Sequence, residues 1–261
     1  MNERQLKEIR QWFHGYVETF HTQDGCLPAA LELKLHHSTR VASEARGISE
    51  ALKWAHYEQN TSEALGLLHD VGRFSQHAEF KTFSDAASVD HGERGWLVTI
   101  QSALLDPLAT EERQAILAGI RYHNRRRIPE ILSPASLPYI KLIRDADKLD
   151  IFHIVLELVK RDGFQDLPKM LPFIDLDPAP TPTIIQELRG GQSCSMEHVR
   201  TLGDFLLMQA SWIYDINYPA TMQRLIDRDI LAELFSHVKG DHSISDLSHY
   251  LQKEARSRTN S

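Results

Sequence analysis

The chain has 261 residues, of which 42% are hydrophobic and 25% charged. That length suits one or two domains with a sizeable core and no need of disulfides, and the balance excludes a disordered or low-complexity protein. Its 29 lysines and arginines stand against 36 aspartates and glutamates, a net charge of −7, the wrong sign for a general binder of nucleic-acid duplexes or anionic membranes. Cys26 and Cys194 are far apart and form no CxxC pair, so neither a disulfide framework nor a zinc–thiolate site is expected. The opening MNERQLKEIRQW lacks the basic-then-apolar order of a signal sequence, and no apolar run is long enough to span a bilayer. The chain therefore reads as cytoplasmic, with no membrane partner. The unusual figure is 14 histidines. Histidine is the commonest metal ligand and the acid/base residue of neutral pH, so their placement matters.

The periodicity is helical almost throughout. After an N-terminal helix, His37, Val41, Ala45, Ile48, Leu52 and Ala55 recur at three- and four-residue spacing and predict one face of a long helix. Ala64, Leu65, Leu67, Leu68 and Val71 mark a shorter, more buried helix, with Asn60 as its cap and Glu63 closing a capping box. A helix near 91–105 ends before Pro107; Thr110 with Glu111 and Glu112 opens the next, to about Tyr122. Pro134 and Pro138 bound the start of a strong helix over 138–161.

The composition then shifts. Pro168, Pro172, Pro178, Pro180 and Pro182 crowd a segment without a period, which predicts irregular backbone. Ile184 to Leu188 reads as a short helix closed by Gly190-Gly191, followed by helices at 195–217, 220–238 and 243–256. No alternating strand pattern occurs. The expected fold is all-α. Residues 1–162 form an N-terminal helix and a core, 163–182 a Pro-rich crossover, and 183–261 a C-terminal helical part packed on that core. Trp212, Tyr214 and Tyr218, at near-helical spacing, read as core.

Short strings hold the metal-competent side chains: LKLHHSTRVA (33–42), GLLHDVGRF (66–74), SVDHGERG (88–95) with AGIRYHN (118–124), and IRDADKLD (143–150). His69-Asp70 falls in an otherwise apolar helix. Burying a carboxylate beside an imidazole costs several kcal/mol unless a cation compensates, and a divalent metal would do so. Imidazole with carboxylate suits Zn, Mn, Fe, Co or Ni, and oxygen-rich sites lean to harder ions such as Mg. Asp145 and Asp147 lie on another helix whose apolar face includes Ile140, Ile143 and Leu149.

These strings, in this order, resemble the HD superfamily of metal-dependent phosphohydrolases, over about residues 31–155. His37 in HSTRVA is similar to the family's opening, His69-Asp70 to its naming doublet, and Asp147 to the aspartate of its ADKL element. His91 and His123 are similar to the two further histidines of the two-metal branch. The chain looks like uncharacterised bacterial members with HDxGRF, SVDH and IRDADKLD strings. The expected fold is accordingly an HD-domain helical bundle. Alternatives stay open: Asp145 in place of Asp147, and His91 and His123 as ordinary polar histidines. His36 is expected at the surface and His153 in packing.

The resemblance implies one or two divalent ions per chain. One would take His37, His69, Asp70 and Asp147; the other would share Asp70 with His91 and His123. Such a pair activates water for displacement at phosphorus. Asp70 with Arg73 and Lys148 are the candidate catalytic residues. Arg125, Arg126 and Arg127 are either substrate-binding or a solvated charge run after a helix. The expected partner is a small phosphorylated substrate, such as a nucleotide. The departures argue against two activities of the superfamily. Arg73 and Phe74 replace the acidic pair of the alarmone hydrolases, and YHNRRRIPE lacks the GYP string of the HD-GYP enzymes. An HD-fold di-iron oxygenase and a non-catalytic metal- or nucleotide-binding module remain as rival readings.

Overall fold

The computed structural model describes residues 1–130, 132–162, 164–165 and 173–259. Among them every regular element is helical. The chain divides into two compact units, 1–150 and 151–261.

The first unit carries α1 (Glu3–Glu18), α2 (Ala29–Ala51), α3 (His56–Leu68), α4 (Val71–Phe80), α5 (His91–Gln101) and α6 (Thr110–Tyr122), with the first part of α7 (Leu137–Asp162). Asn2 and Gln5 cap α1 reciprocally, and its face Leu6, Ile9, Phe13 and Val17 is buried. Phe13 meets Phe74 of α4 edge to face, with ring centroids 5.9 Å apart. Val41, Ala45 and Ile48 of α2, Leu65 and Leu68 of α3, Ile116 and Ile120 of α6, and Ile140, Ile143 and Leu149 of α7 are buried as well.

Three expectations for this unit need correction. The long helix ends at Ala51, so Leu52 and Ala55 fall outside it. Asn60 does not cap α3, which begins at His56, where the Glu58 carboxylate accepts the Ala55 N–H at 2.7 Å. Asn60 is instead buried within the helix, donating to Glu3 at 2.9 Å and accepting from Arg46 at 3.0 Å. The predicted 91–105 helix stops at Gln101.

The second unit carries the rest of α7, α8 (Pro182–Arg189), α9 (Leu202–Ala210), α10 (Pro219–Asp227), α11 (Ile230–Ser236) and α12 (His242–Ser257). Pro168 and Pro172 lie outside the described residues. Gly190 caps α8, and Gly191 follows with φ +69. The helix predicted over 195–217 begins only at Leu202, because Thr201 caps it and the buried Asp204 accepts the N–H groups of Thr181, Arg200 and Thr201. After Ala210 it tightens into a 3₁₀ turn, Ser211–Asp215. The one predicted over 220–238 is broken where Asp229 takes a left-handed φ of 50°. Trp212, Tyr214 and Tyr218 are only half-buried rather than core. No helix among the described residues is long and apolar enough to cross a membrane.

Candidate metal centre

The His-Asp doublet occupies a bend. His69 ends α3, and Asp70, with φ −101° and ψ 16°, precedes α4. Neighbours in an unbroken helix point about 100° apart; the bend lets both side chains face one centre. Two glycines bring the other helices in. A Cβ on Gly66 would lie 2.6 Å from the Ala42 Cα, so α2 approaches α3 closely enough for His37 to meet His69. A Cβ on Gly72 would collide with the His91 carbonyl and the Gly95 nitrogen, so only glycine lets α5 start beside Asp70. Asp90 caps α5, and His91 is that helix's first residue. His123 ends α6, and Asp147 projects from the middle of α7.

The structure brings all six together within the first unit. Asp70 Oδ2 lies 3.5 Å from His37 Nε2 and 3.8 Å from His69 Nε2. Asp147 Oδ1 faces the same two nitrogens, at 3.2 and 3.7 Å. Asp70 Oδ1 lies 3.4 Å from His91 Nε2 and 3.6 Å from His123 Nε2. One carboxylate is thus divided between two histidine pairs. Ligand atoms of His37, His69 and Asp70, of His69, His123 and Asp147, and of Asp70, His91 and His123 converge within 4.8 Å in each group.

The far side of each ring fixes the tautomer. Nδ1 of His69 donates to the Gly66 carbonyl at 2.7 Å, and Nδ1 of His123 to that of Ile120 at 2.9 Å. Carbonyls only accept, so both Nδ1 atoms carry the hydrogen, and in the neutral ring this leaves Nε2 bare. Nδ1 of His37 donates to Asp150 and Nδ1 of His91 to Asp85, each at 2.6 Å. Behind these carboxylates stand Arg40, 2.5 Å from Asp150, and Arg73, 2.8 Å from Asp85. With the rings neutral, four Nε2 lone pairs and three carboxylate oxygens meet at this centre.

The electrostatics follow. Burial pushes His91 down to about 4 and lowers His69, which keeps both neutral. Burial and Lys34 also press His37 down, but its hydrogen bonds to Asp147 and Asp150 outweigh them and raise it. Burial favours neutral Asp70, yet Lys34, His69, His123 and Arg73 hold it well below the usual carboxylate range. Asp147 is held low by His37 and His69 against the same cost of burial.

A set made only of acceptors asks for cations, and the spacing fits. His37 and His69 Nε2 are 3.2 Å apart, and His91 and His123 Nε2 3.1 Å. Two nitrogens bound to one ion at about 2.0–2.1 Å lie about 3.0–3.4 Å apart.

Other predicted residues are placed differently. Asp145 is fully buried but belongs to none of the convergent groups. His36 is exposed; so is His153, which was expected to pack. Arg73 Nη1 donates to Gln76, Phe83 and Asp85, while its Nε lies 3.6 Å from Asp70 Oδ1. Lys148 Nζ donates to the Arg144 carbonyl at 3.4 Å. Arg125 pairs with Asp90 at 3.0 Å, and Arg126 and Arg127 are exposed.

Sequence reasoning passed over Lys34, Asp85 and Asp150. Lys34 donates to Asp70 Oδ2 at 2.7 Å. It stands three residues before His37 and Asp150 three after Asp147, a spacing that puts each on its ligand's helix face. Asp85 lies on a short 3₁₀ turn, Asp85–Ala87, and no local pattern marks it.

Residues 35–151 match the family model of the HD domain. No curated protein and no solved structure matches the chain. The chain carries an HD domain, the domain of a superfamily of metal-dependent phosphohydrolases. Its buried histidine and aspartate groups are compatible with a divalent metal.

Proposed function

With the HD domain as premise, we propose that the protein is a metal-dependent hydrolase of a phosphate mono- or diester, on a nucleotide or similar small phosphorylated molecule. The observation that carries this reading is the division of Asp70 between two histidine pairs with bare Nε2 atoms. His37, His69, Asp147 and Asp70 Oδ2 would hold one divalent ion; His91, His123 and Asp70 Oδ1 would hold a second. The thiolate-free set suits Mn, Fe, Co, Ni, Zn or Mg. Bound divalent ions supply an activated water and neutralise charge at phosphorus.

The protein's own groups do the rest. Asp150 and Asp85 keep the His37 and His91 rings in the tautomer that leaves Nε2 bare. Asp70 joins the two halves. Arg73 and Lys148 are the proposed catalytic cations, and Arg125, Arg126 and Arg127 the proposed substrate-binding group. The convergent groups hold no cysteine, and in this reading the attacking group is metal-activated water rather than a side chain.

The test is a phosphatase and phosphodiesterase screen across nucleotides and sugar phosphates, with each candidate metal. Metal-dependent release of phosphate or a phosphomonoester, abolished in Asp70→Ala, is the expected result. Turnover that needs oxygen and iron, with no ester cleaved, would overturn the reading in favour of an oxygenase.

A further inference from the structure

We infer that Lys34 is the group that binds an anionic oxygen of the reacting phosphoryl, which makes it the site's determinant for phosphate substrates; this rests on the hydrolase reading above. Lys34 lies one turn before His37 on α2, just outside the span matched by the family model. Its side chain is 17% exposed and its Nζ is 2.7 Å from Asp70 Oδ2, the oxygen that faces His37 and His69. The ammonium also lies 5.6 Å from the centre of the Phe83 ring, which keeps it at the edge of the site.

The neighbouring arginines each carry a carboxylate or carbonyl partner, and Arg73 adds to the site only its Nε, 3.6 Å from Asp70 Oδ1. Arg40 is bound to Asp150, Arg121 to Glu93 and Arg125 to Asp90. Arg73 Nη1 is shared among Gln76, the Phe83 carbonyl and Asp85. Lys34 differs. An ammonium has three N–H donors, and among the described residues Asp70 is its one hydrogen-bond partner. Two donors remain for oxygens beside Asp70. A compact point charge serves a phosphoryl oxygen well, since that oxygen needs no bidentate fork. Because Lys34 touches Asp70 itself, the anion it reaches is the group undergoing reaction and not a remote part of the substrate. Its removal should therefore lower kcat, not only raise KM.

The experiment uses Lys34→Met, which keeps the length of the side chain, and Lys34→Arg, which keeps the charge. Metal content is measured by elemental analysis, binding of inorganic phosphate to the metal-loaded protein by calorimetry, and kcat and KM on an ester that wild type cleaves. For Lys34→Met the inference expects metal at the wild-type ratio, phosphate binding weakened at least about tenfold, and kcat down by about 10²–10³. Lys34→Arg should recover part of both losses. Phosphate affinity and kcat at wild-type values would overturn it. So would loss of metal with both restored by excess metal, since Lys34 would then act only through Asp70. The two readings fail separately. Lys34-dependent phosphate binding without turnover of any ester ends the hydrolase reading alone. Ester cleavage equal in wild type and Lys34→Met ends the Lys34 inference alone.

Discussion

Around Asp70 Oδ2 stand His37 and His69; around Oδ1 stand His91 and His123. Each pair has one histidine whose Nδ1 donates to a carboxylate backed by an arginine: His37 to Asp150 with Arg40, His91 to Asp85 with Arg73. Each also has one whose Nδ1 donates to the carbonyl three residues before it, Gly66 or Ile120. The halves differ in charge and support. The first has a second carboxylate, Asp147, facing both its histidines at 3.2 and 3.7 Å, and its Asp150 is 2% exposed within α7. In the second, Asp70 is the carboxylate that faces both histidines, and its Asp85 is 32% exposed on a three-residue 3₁₀ turn. Ligand charge and a rigid outer shell both raise affinity for a divalent ion. The first half should be the tight site and the second the exchangeable one.

The largest expected effect that sharpens this comparison comes from the carboxylates behind the rings. Asp150→Asn should weaken the tighter of two metal-binding steps by about 10–100-fold and leave the weaker one near its wild-type value. Asp85→Asn should do the reverse, with the smaller effect of the two because Asp85 is partly solvated. Calorimetric titration of both variants decides this. Equal weakening of both steps by either substitution would erase the distinction between the halves.

A smaller effect concerns pH and the metal-free protein. His91 is pushed from 6.5 down to about 4 by burial, and His69 is lowered in the same way. Between those values the unfolded chain binds a proton that folded His91 refuses, so stability falls as pH drops from about 6.5 to about 4. His37 is raised, so its own contribution is gained as pH falls towards 6.5 and stays constant below it, leaving the slope in this window to the lowered histidines. The low-lying Asp70 and Asp147 add their own loss as pH falls further through the carboxylate range. His91→Gln should flatten the fall of Tm across the 6.5-to-4 window. An unchanged slope would show that His91 is not held neutral.

The fold was legible where one helix settles its own form. Thr110 with its following acids, the proline at the head of α7, and Gly190-Gly191 after α8 act locally, and those helices run as expected. It was not legible at Asn60, whose partners Glu3 and Arg46 come from two other helices, so a residue with the chemistry of a cap became a buried crosslink. Nor was the break at Asp229, where neither glycine nor proline marks the left-handed turn. At the centre, it was the resemblance of the strings to the HD family that named the six side chains the structure gathers; residue type alone left Asp145 beside Asp147, and Asp145 is buried without joining them. Asp85 carried no such mark, since its role depends on where a loop returns. Lys34 lay in a quoted string, but only the bend at Asp70 shows what its charge meets.

The most direct test of the divided centre is a metal count. Wild type, loaded to saturation and then desalted or titrated, should bind two equivalents per chain, and His91→Ala/His123→Ala should bind one, with the affinity of the tighter step preserved. A single equivalent in both proteins would contradict the account, because Asp70 would then serve one ion and the His91–His123 pair none.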